Sequence, residues 1–244
     1  MRKLCIFLML LSIVAGCRTG ERVVKPEPKP GQFFIMLGKG VDALQRSDYP
    51  AAIHFLKLAV AERPASTKAL NLRGVAWFMK GKTREAEADF AKVIQLDPGY
   101  ETAYQNLGCA LLHDMKLAEA ERILRQALYR FPAGASAYFT LGTVLILQSR
   151  GDEAMAMLRK GLELDPDYFS RENQFSTELN PQDKGNPELL FSYARLFAAK
   201  GNIEKTVDYL RQAKKAGFRD WRRIGTMADF DPVRVDPALK EFID

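Results

Sequence analysis

Apolar residues recur three and four apart along most of the chain, and the recurrence breaks at regular places. From Thr67 to Tyr100 the apolar and small positions are Leu70, Gly74 and Trp77, then Ala86, Phe90, Val93 and Ile94. This spacing puts each set on one face of a helix. The stretch therefore predicts two helices, from about Lys68 to Lys80 and from about Arg84 to Leu96. Gly81 falls in the turn between them, where a positive φ costs glycine little. Pro98 follows the second helix and cannot continue it. Gly74 and Ala86 are small where the two helices are expected to cross.

The order Gly74, Trp77, Gly81, Ala86, Phe90, Pro98 returns 34 residues later as Gly108, Leu111, Met115, Ala120, Leu124, Pro132. It returns again as Gly142, Leu145, Ser149, Ala154, Leu158, Pro166, and in the other direction as Gly40, Ala43, Ser47, Ala52, Leu56, Pro64. Four copies follow at 33–66, 67–100, 101–134 and 135–168. A fixed period of this length is the mark of a solenoid, in which one hairpin buries its stripe only against the next.

These residues resemble the tetratricopeptide repeat. The resemblance implies an all-α fold, a right-handed superhelical solenoid of helix-turn-helix repeats, and a non-enzymatic scaffold that binds other proteins. Lys39 and Arg73 depart from it, standing where the family usually has leucine and where Leu107 and Leu141 keep it. Their stems are expected to lie along the apolar face with the charged heads in water.

After Tyr168 the period fails. Residues 169–186 are polar and contain Asn180-Pro181 and Gly185-Asn186, which predicts an inserted loop. Such a loop could also lie over the binding groove. Asn186 and Pro187 suit the cap and the first position of a new helix. Phe197, Gly201, Leu210 and Ala213 then make a degenerate fifth copy at 187–220, with Thr206 in the alanine place and Gly217 ending the second helix. Residues 221–244 read as a closing segment in which Trp221, Phe230 and Phe242 cover the last exposed stripe. Arg211, Lys214, Lys215, Arg219, Arg222 and Arg223 form a basic cluster nearby, read as a solvated face, with an acidic partner or lipid headgroups as the alternative.

Residues 1–16 carry Arg2 and Lys3 ahead of an apolar run from Leu4 to Ala15, the layout of a secretory signal peptide. The run is shorter than the roughly 20 residues a spanning helix needs. Val14-Ala15-Gly16-Cys17 resembles the lipobox of bacterial lipoproteins, which implies cleavage before Cys17 and a lipid on its thiol. A diacylglycerol supplies the two chains that stable anchoring needs. Arg18 follows the cysteine, where aspartate tends to hold Gram-negative lipoproteins at the inner membrane. The implied location is the cell envelope, at the outer membrane if the cell is Gram-negative. Residues 17–32 are rich in proline and charge and predict an extended tether.

Composition narrows the remaining choices. A chain of 244 residues with 47% hydrophobic and 27% charged residues is ordinary for a folded protein. Without Arg2 and Lys3 the chain holds 34 basic and 30 acidic residues, a net +4, too mild to argue for nucleic acid. Cys5, Cys17 and Cys109 make no disulfide framework or metal cluster. His54 and His113 lack spaced partners, and no phosphate loop, HExxH or serine elbow is present. Glu85/Glu87 and Glu119/Glu121 flank buried alanines and are expected to face solvent. No catalytic residue, metal site or cofactor is expected.

The resemblance implies that the inner wall of the solenoid is lined by the first helix of each pair. The lining places hold Phe34, Leu37, Val41 and Leu44, then Lys68, Asn71, Val75 and Phe78. Next come Thr102, Gln105, Cys109 and Leu112, then Ser136, Phe139, Thr143 and Ile146. Val, Leu, Phe and Ile at places expected to face solvent predict a contact surface for an apolar or amphipathic segment. The amides of Asn71 and Gln105 can pair with a peptide backbone. Leu37, Val41 and Thr102 stand where chaperone-binding members of the family carry several of their carboxylate-clamping residues. The occupant is expected to be a protein or peptide partner, with the tether, the loop or a second copy of the chain as alternatives. Two narrower roles compete with a general scaffold: an assembly factor for a pilus or outer-membrane machine, and a regulator of a cell-wall hydrolase.

Overall fold

A computed structural model describes residues 31–168 and 185–243 of the chain. The leader, Cys17, most of the tether and most of the 169–186 loop lie outside the described residues. Among those described there are helices and turns but no strands. The chain divides into two compact units, the first ending at Pro132 and the second beginning at Ala133.

The first unit holds three hairpins: α1 (Gln32–Gln45) with α2 (Tyr49–Glu62), α3 (Thr67–Met79) with α4 (Thr83–Leu96), and α5 (Glu101–His113) with α6 (Leu117–Arg130). Beyond these hairpin contacts, α2 packs on α3, α4 on α5, and α1, α3 and α5 stand side by side. The second unit opens with α7 (Ala135–Leu147) and α8 (Gly151–Leu164), then α9 (Pro187–Ala198) and α10 (Ile203–Lys215). Helix α9 packs on both α7 and α8, so the fourth and fifth hairpins stack although the inserted residues separate them in sequence.

The crossing of each of the first four hairpins is set by one glycine. A Cβ added at Gly40, Gly74, Gly108 or Gly142 would lie 2.6 Å from Leu56, Phe90, Leu124 or Leu158, sixteen residues on. All four facing side chains are fully buried, so the helix backbones can approach this closely only where no side chain intervenes.

Every first helix ends alike. In α3, Lys82 N–H donates to Trp77 O at 2.9 Å and Gly81 N–H to Phe78 O at 2.9 Å, with Gly81 at φ +79°. This is the Schellman pattern, which needs a left-handed residue after the helix. Gly201 supplies it in the fifth copy, but Ser47, Met115 and Ser149 supply it elsewhere at φ 58°, 56° and 62°. An L side chain in this conformation costs roughly 1–2 kcal/mol. Met115 is 56% exposed and has little packing to lose. Met115→Gly is expected to stabilise the chain by about 0.5–1 kcal/mol, after the greater unfolded freedom of glycine is deducted. A raised urea midpoint checks this, and a lowered one refutes it.

Several helix starts carry side-chain caps. Asp48, Ser66, Asn186 and Asn202 accept from the backbone N–H of Ala51, Ala69, Leu189 and Lys205 at 3.0–3.2 Å. Asn186 with Pro187 is the start expected from sequence, and Gly217 at φ +96° closes α10 as expected.

One pair of places, sixteen residues apart across each hairpin, is filled differently every time. In the first hairpin Lys39 Nζ lies 5.4 Å from the centre of the Phe55 ring. In the second, Arg73 donates to both oxygens of Asp89 at 2.8 and 2.6 Å. Leu107 with Ile123 and Leu141 with Met157 hold the same places in the third and fourth. Tyr193 and Tyr209 hold them in the fifth, ring centres 5.4 Å apart. The expectation that Arg73 lifts its head into water is therefore wrong. Asp89 is only 5% exposed and draws the guanidinium down onto the facing helix.

After α10 the tail folds back. Phe191 stacks on Phe218 at 4.2 Å, Phe218 meets Trp221 edge-on at 4.9 Å, and Trp221 leans on Phe242 at 5.3 Å. Phe230 is fully buried in a 3-10 turn (Ala228–Phe230) against Phe191. Beside it Asp229, 8% exposed, accepts from Arg195 at 2.8 Å and from Arg159. Arg234 donates to the carbonyls of Ile224 and Met227, holding the chain on either side of that turn. A short helix α11 (Arg222–Thr226), a second 3-10 turn (Pro237–Leu239) and α12 (Lys240–Ile243) complete the unit.

Candidate functional site

The inner-wall positions do not form the open apolar stripe expected of them. Phe34 is 42% exposed, and Val41 and Leu44 are half-buried. Leu37, Val75, Phe78, Cys109, Leu112, Phe139 and Ile146 are all buried, as are Lys68, Asn71, Gln105 and Thr143. Thr102 and Ser136 are half-buried. In the first unit part of the cause is that α1, α3 and α5 stand side by side, so wall residues of one helix are covered by residues of the next. Asn106 donates its amide hydrogen to Asn71 Oδ1 at 3.0 Å, and Phe78 meets His113 edge-on at 5.5 Å. Gln105 donates to Glu101 of its own helix at 3.2 Å. In the second unit Phe139 stacks on Tyr168 at 3.8 Å, and Thr143 donates back to the Phe139 carbonyl.

In the first unit the wall therefore has a polar section on α3 and α5, formed by Lys68, Asn71, Gln105 and Asn106. Among the described residues, Lys68 Nζ and Asn71 Nδ2 are fully covered and have no hydrogen-bond partner. Burial pushes the Lys68 ammonium down to about 8. Burial also raises the Glu101 carboxyl, and its bond to Gln105 ties it to the same helix. A buried donor left unpaired weakens the fold.

The sign of the pH effect follows from the Lys68 shift. Its folded value lies below the unfolded one, so the penalty is full below pH 8 and fades as pH rises toward 10.5. Lys68→Met keeps the stem and removes the charge. The variant is expected to melt above wild type at pH 7, with the gap closing by pH 10. A gap that does not change with pH refutes the assignment to Lys68.

The other candidate groups serve the fold. His113 Nδ1 lies 3.5 Å from Thr83 Oγ1 and 3.1 Å from Asp114, while His54 is exposed beside Phe55. Glu87 does not simply face solvent: Lys116 grips both its oxygens at 2.8 and 2.7 Å, tying α4 to the start of α6. That hydrogen bond raises the Lys116 ammonium. Glu121 pairs with Arg125 on α6 at 2.8 Å. The basic cluster at the end of the chain is partly neutralised within the fold. Arg211 pairs with Glu241, Lys214 donates to the Glu241 carbonyl, and Arg223 pairs with both oxygens of Glu188. Among the described residues no group of His, Cys, Asp and Glu is placed to hold a metal ion, and no helix is long and apolar enough to cross a membrane.

The polar section was only partly visible from sequence. Lys68, Asn71 and Gln105 fall at wall places, but Asn106 does not, and its bond to Asn71 spans one repeat plus one residue. That offset appears only once the two first helices lie alongside each other.

The family follows from these hairpins together with the comparisons. The tetratricopeptide repeat description matches residues 37–101 and, as a second model, 111–171. The chain belongs to the tetratricopeptide repeat family, whose fold ordinarily serves as a non-enzymatic scaffold for protein interactions. It is 33% identical over 86 residues to the tetratricopeptide repeat and J domain-containing co-chaperone DNJ1 of Fusarium oxysporum. It is 36% identical over 75 residues to the chloroplastic tetratricopeptide repeat protein PYG7 of Arabidopsis thaliana. These matches span 34% and 29% of this chain, and only 16% and 25% of those proteins. Among solved structures, MamA superposes with a TM-score of 0.55 at 20% identity, covering 81% of this chain and 96% of that one. YrrB, described as a repeat protein with an unusual peptide-binding site, superposes with a TM-score of 0.50 at 19% identity, covering 75% and 84%. At these identities the likeness concerns the fold.

Proposed function

We propose that the chain is an adaptor of the bacterial cell envelope, anchored by a lipid on Cys17, that takes an apolar or amphipathic segment of a partner protein along the first-helix wall. The observation that carries this reading is the α3–α5 section of that wall. There, donors without partners at Lys68 and Asn71 are followed along α3 by the apolar Val75 and Phe78. A stable monomer gains nothing by burying unpaired donors, and a segment that supplied acceptors as α3 and α5 part would recover their cost. Phe34 at the start of α1, 42% exposed, is the apolar wall side chain most open to contact among the described wall positions. The lipobox at 14–17 supports the anchor, and the proline-rich tether supports separation of the repeats from the membrane.

Photo-crosslinking in cells tests the wall. A photoreactive residue at Phe34 or Thr102 is expected to capture one recurring partner. The same residue at Tyr129, 90% exposed on α6, is expected to miss it. One shared catalogue from all three positions would sink the proposal. Cys17→Ser is expected to abolish acyl labelling and release the chain from membranes. Unchanged labelling would remove the anchor and leave the wall reading intact.

A further inference from the structure

We infer that the free face of α1 pairs with the same face of a second copy of the chain, the two helices crossing at Gly38 about a two-fold axis. The inference goes beyond the adaptor reading and takes only the membrane anchor from it. Ile35, Gly38 and Asp42 lie three and four apart on one face of α1, and all three are exposed, Ile35 by 56%. One repeat later the same places hold Ala69, Leu72 and Ala76, and two repeats later Ala103, Asn106 and Ala110, none more than 2% exposed. There the preceding hairpin supplies the cover, α2 on α3 and α4 on α5. The first hairpin has no predecessor among the described residues, and the open end of a repeat array needs a cover. Gly38 is a second observation. A Cβ built there meets nothing within 4 Å, whereas one at Gly40 would lie 2.6 Å from Leu56. Glycine weakens a helix interior, and no contact among the described residues requires it at 38. What it does provide is room for another backbone to approach closely.

The complement of this face is the face itself. An antiparallel crossing with Gly38 on Gly38 sets Ile35 of each copy opposite Val41 of the other, and Asp42 opposite Phe34. Val41 is half-buried and Phe34 is 42% exposed, so both have surface left to cover. Arg63, at the end of α2, lies over Phe34 with its guanidinium 4.9 Å from the ring centre. The crossing therefore brings the exposed Asp42 carboxylate toward a cation of the second copy, once at each end of the contact. Lys39, the one cation within α1, is turned instead to Phe55 of its own hairpin. The far end of the array is not the complement. Its last hairpin already carries the tail, with Trp221 against Phe218 and Phe242. Head-to-tail growth is thereby blocked, and a closed pair remains. One helix crossing is a modest interface, and copies anchored to one membrane meet at a raised effective concentration.

Cysteine crosslinking of the full chain in intact cells tests the crossing, with an added oxidant to close the disulfide. Gly38→Cys places its sulfur at the two-fold axis and is expected to yield a covalent dimer. Ile35→Cys alone and Val41→Cys alone are expected to stay monomeric, while cells making both variants give the mixed dimer. Tyr129→Cys, at a place 90% exposed, controls for chance collision, and the native Cys109 is buried. Gly38→Gln is expected to weaken pairing of the purified full chain about tenfold or more in sedimentation, the loss of a central contact. The same variant is expected to raise the urea midpoint, because glutamine favours the helix. Opposite signs separate an interface from a folding role. Asp42→Arg is expected to weaken pairing, and adding Arg63→Asp to restore it. A Gly38→Cys dimer no more abundant than that of Tyr129→Cys overturns the pairing. Self-crosslinking at Ile35→Cys overturns the crossing at Gly38. A Gly38→Cys adduct to a different protein overturns the second copy as occupant. Capture at Thr102 and acyl labelling of Cys17→Ser judge the adaptor reading separately, since neither position lies on this face.

Discussion

Asp229→Ala is expected to destabilise the second unit by about 3–5 kcal/mol, the usual cost of leaving a buried charge without its partner. Arg195 is 6% exposed and has its Nε and Nη2 on this carboxylate, while Arg159 reaches it from α8. Removing the carboxylate strands the buried Arg195 guanidinium, while Arg159, its side chain 48% exposed, turns to water. Another acid, Asp152, lies 3.7 Å from Arg195 but has a fully exposed side chain, and it cannot replace a partner that is itself dry. Urea unfolding measures the loss. Limited proteolysis reads its location, with cleavage expected first between 219 and 243 as the tail lifts from α9. A loss under about 1 kcal/mol would show the cluster to be as weak as an exposed ion pair. Asp229→Asn is expected to fall between wild type and alanine, because it keeps the shape and an acceptor but not the charge.

Asp89→Ala is the second large effect, expected to cost about 2–4 kcal/mol because Arg73 would keep its charge beside an apolar hairpin interior. The Arg73 side chain is 21% exposed, so water recovers part of what is lost and the cost is lower than at Asp229. The decisive variant is the pair Arg73→Leu with Asp89→Ile, which copies Leu107 and Ile123 from the next hairpin. It is expected to regain wild-type stability or exceed it, since an ion pair replaced by packed apolar groups of similar volume is often neutral or better. A double variant no more stable than Asp89→Ala would mean that the second hairpin cannot accept the interior of the third. A double-mutant cycle gives the coupling directly.

The parts of the fold written in periodic places are legible in the sequence. The small residue Gly74 at a helix crossing, the turn at Gly81, the cap at Asn186 and the stop at Gly217 all follow from residue type and position. The pairing of Arg73 with Asp89 is not legible in the same way. Nothing local marks Asp89 as buried; it sits among Glu85, Glu87 and Asp97 on a helix that looks solvated from outside. Only the facing relation across a hairpin, sixteen residues apart, singles it out. Asp229 is harder still, because its two arginines lie 70 and 34 residues away and in different copies. The wall departs from expectation for a related reason. Val75, Phe78 and Leu112 occupy places the family exposes, but exposure depends on what lies alongside, and repeat position alone does not report that. The unpaired donors at Lys68 and Asn71 become visible only when every neighbour has been assigned.

The places filled by Lys39 and Phe55, Arg73 and Asp89, and Tyr193 and Tyr209 have an evolutionary consequence. Each couple answers mainly to itself, because the two helices that carry it belong to one hairpin. Mutations there can accumulate as matched substitutions, drifting from charge to hydrocarbon to aromatic without asking adjacent hairpins to adapt. An ancestral array of identical copies could diverge at this spot first, while Gly40, Gly74, Gly108 and Gly142 stayed unchanged.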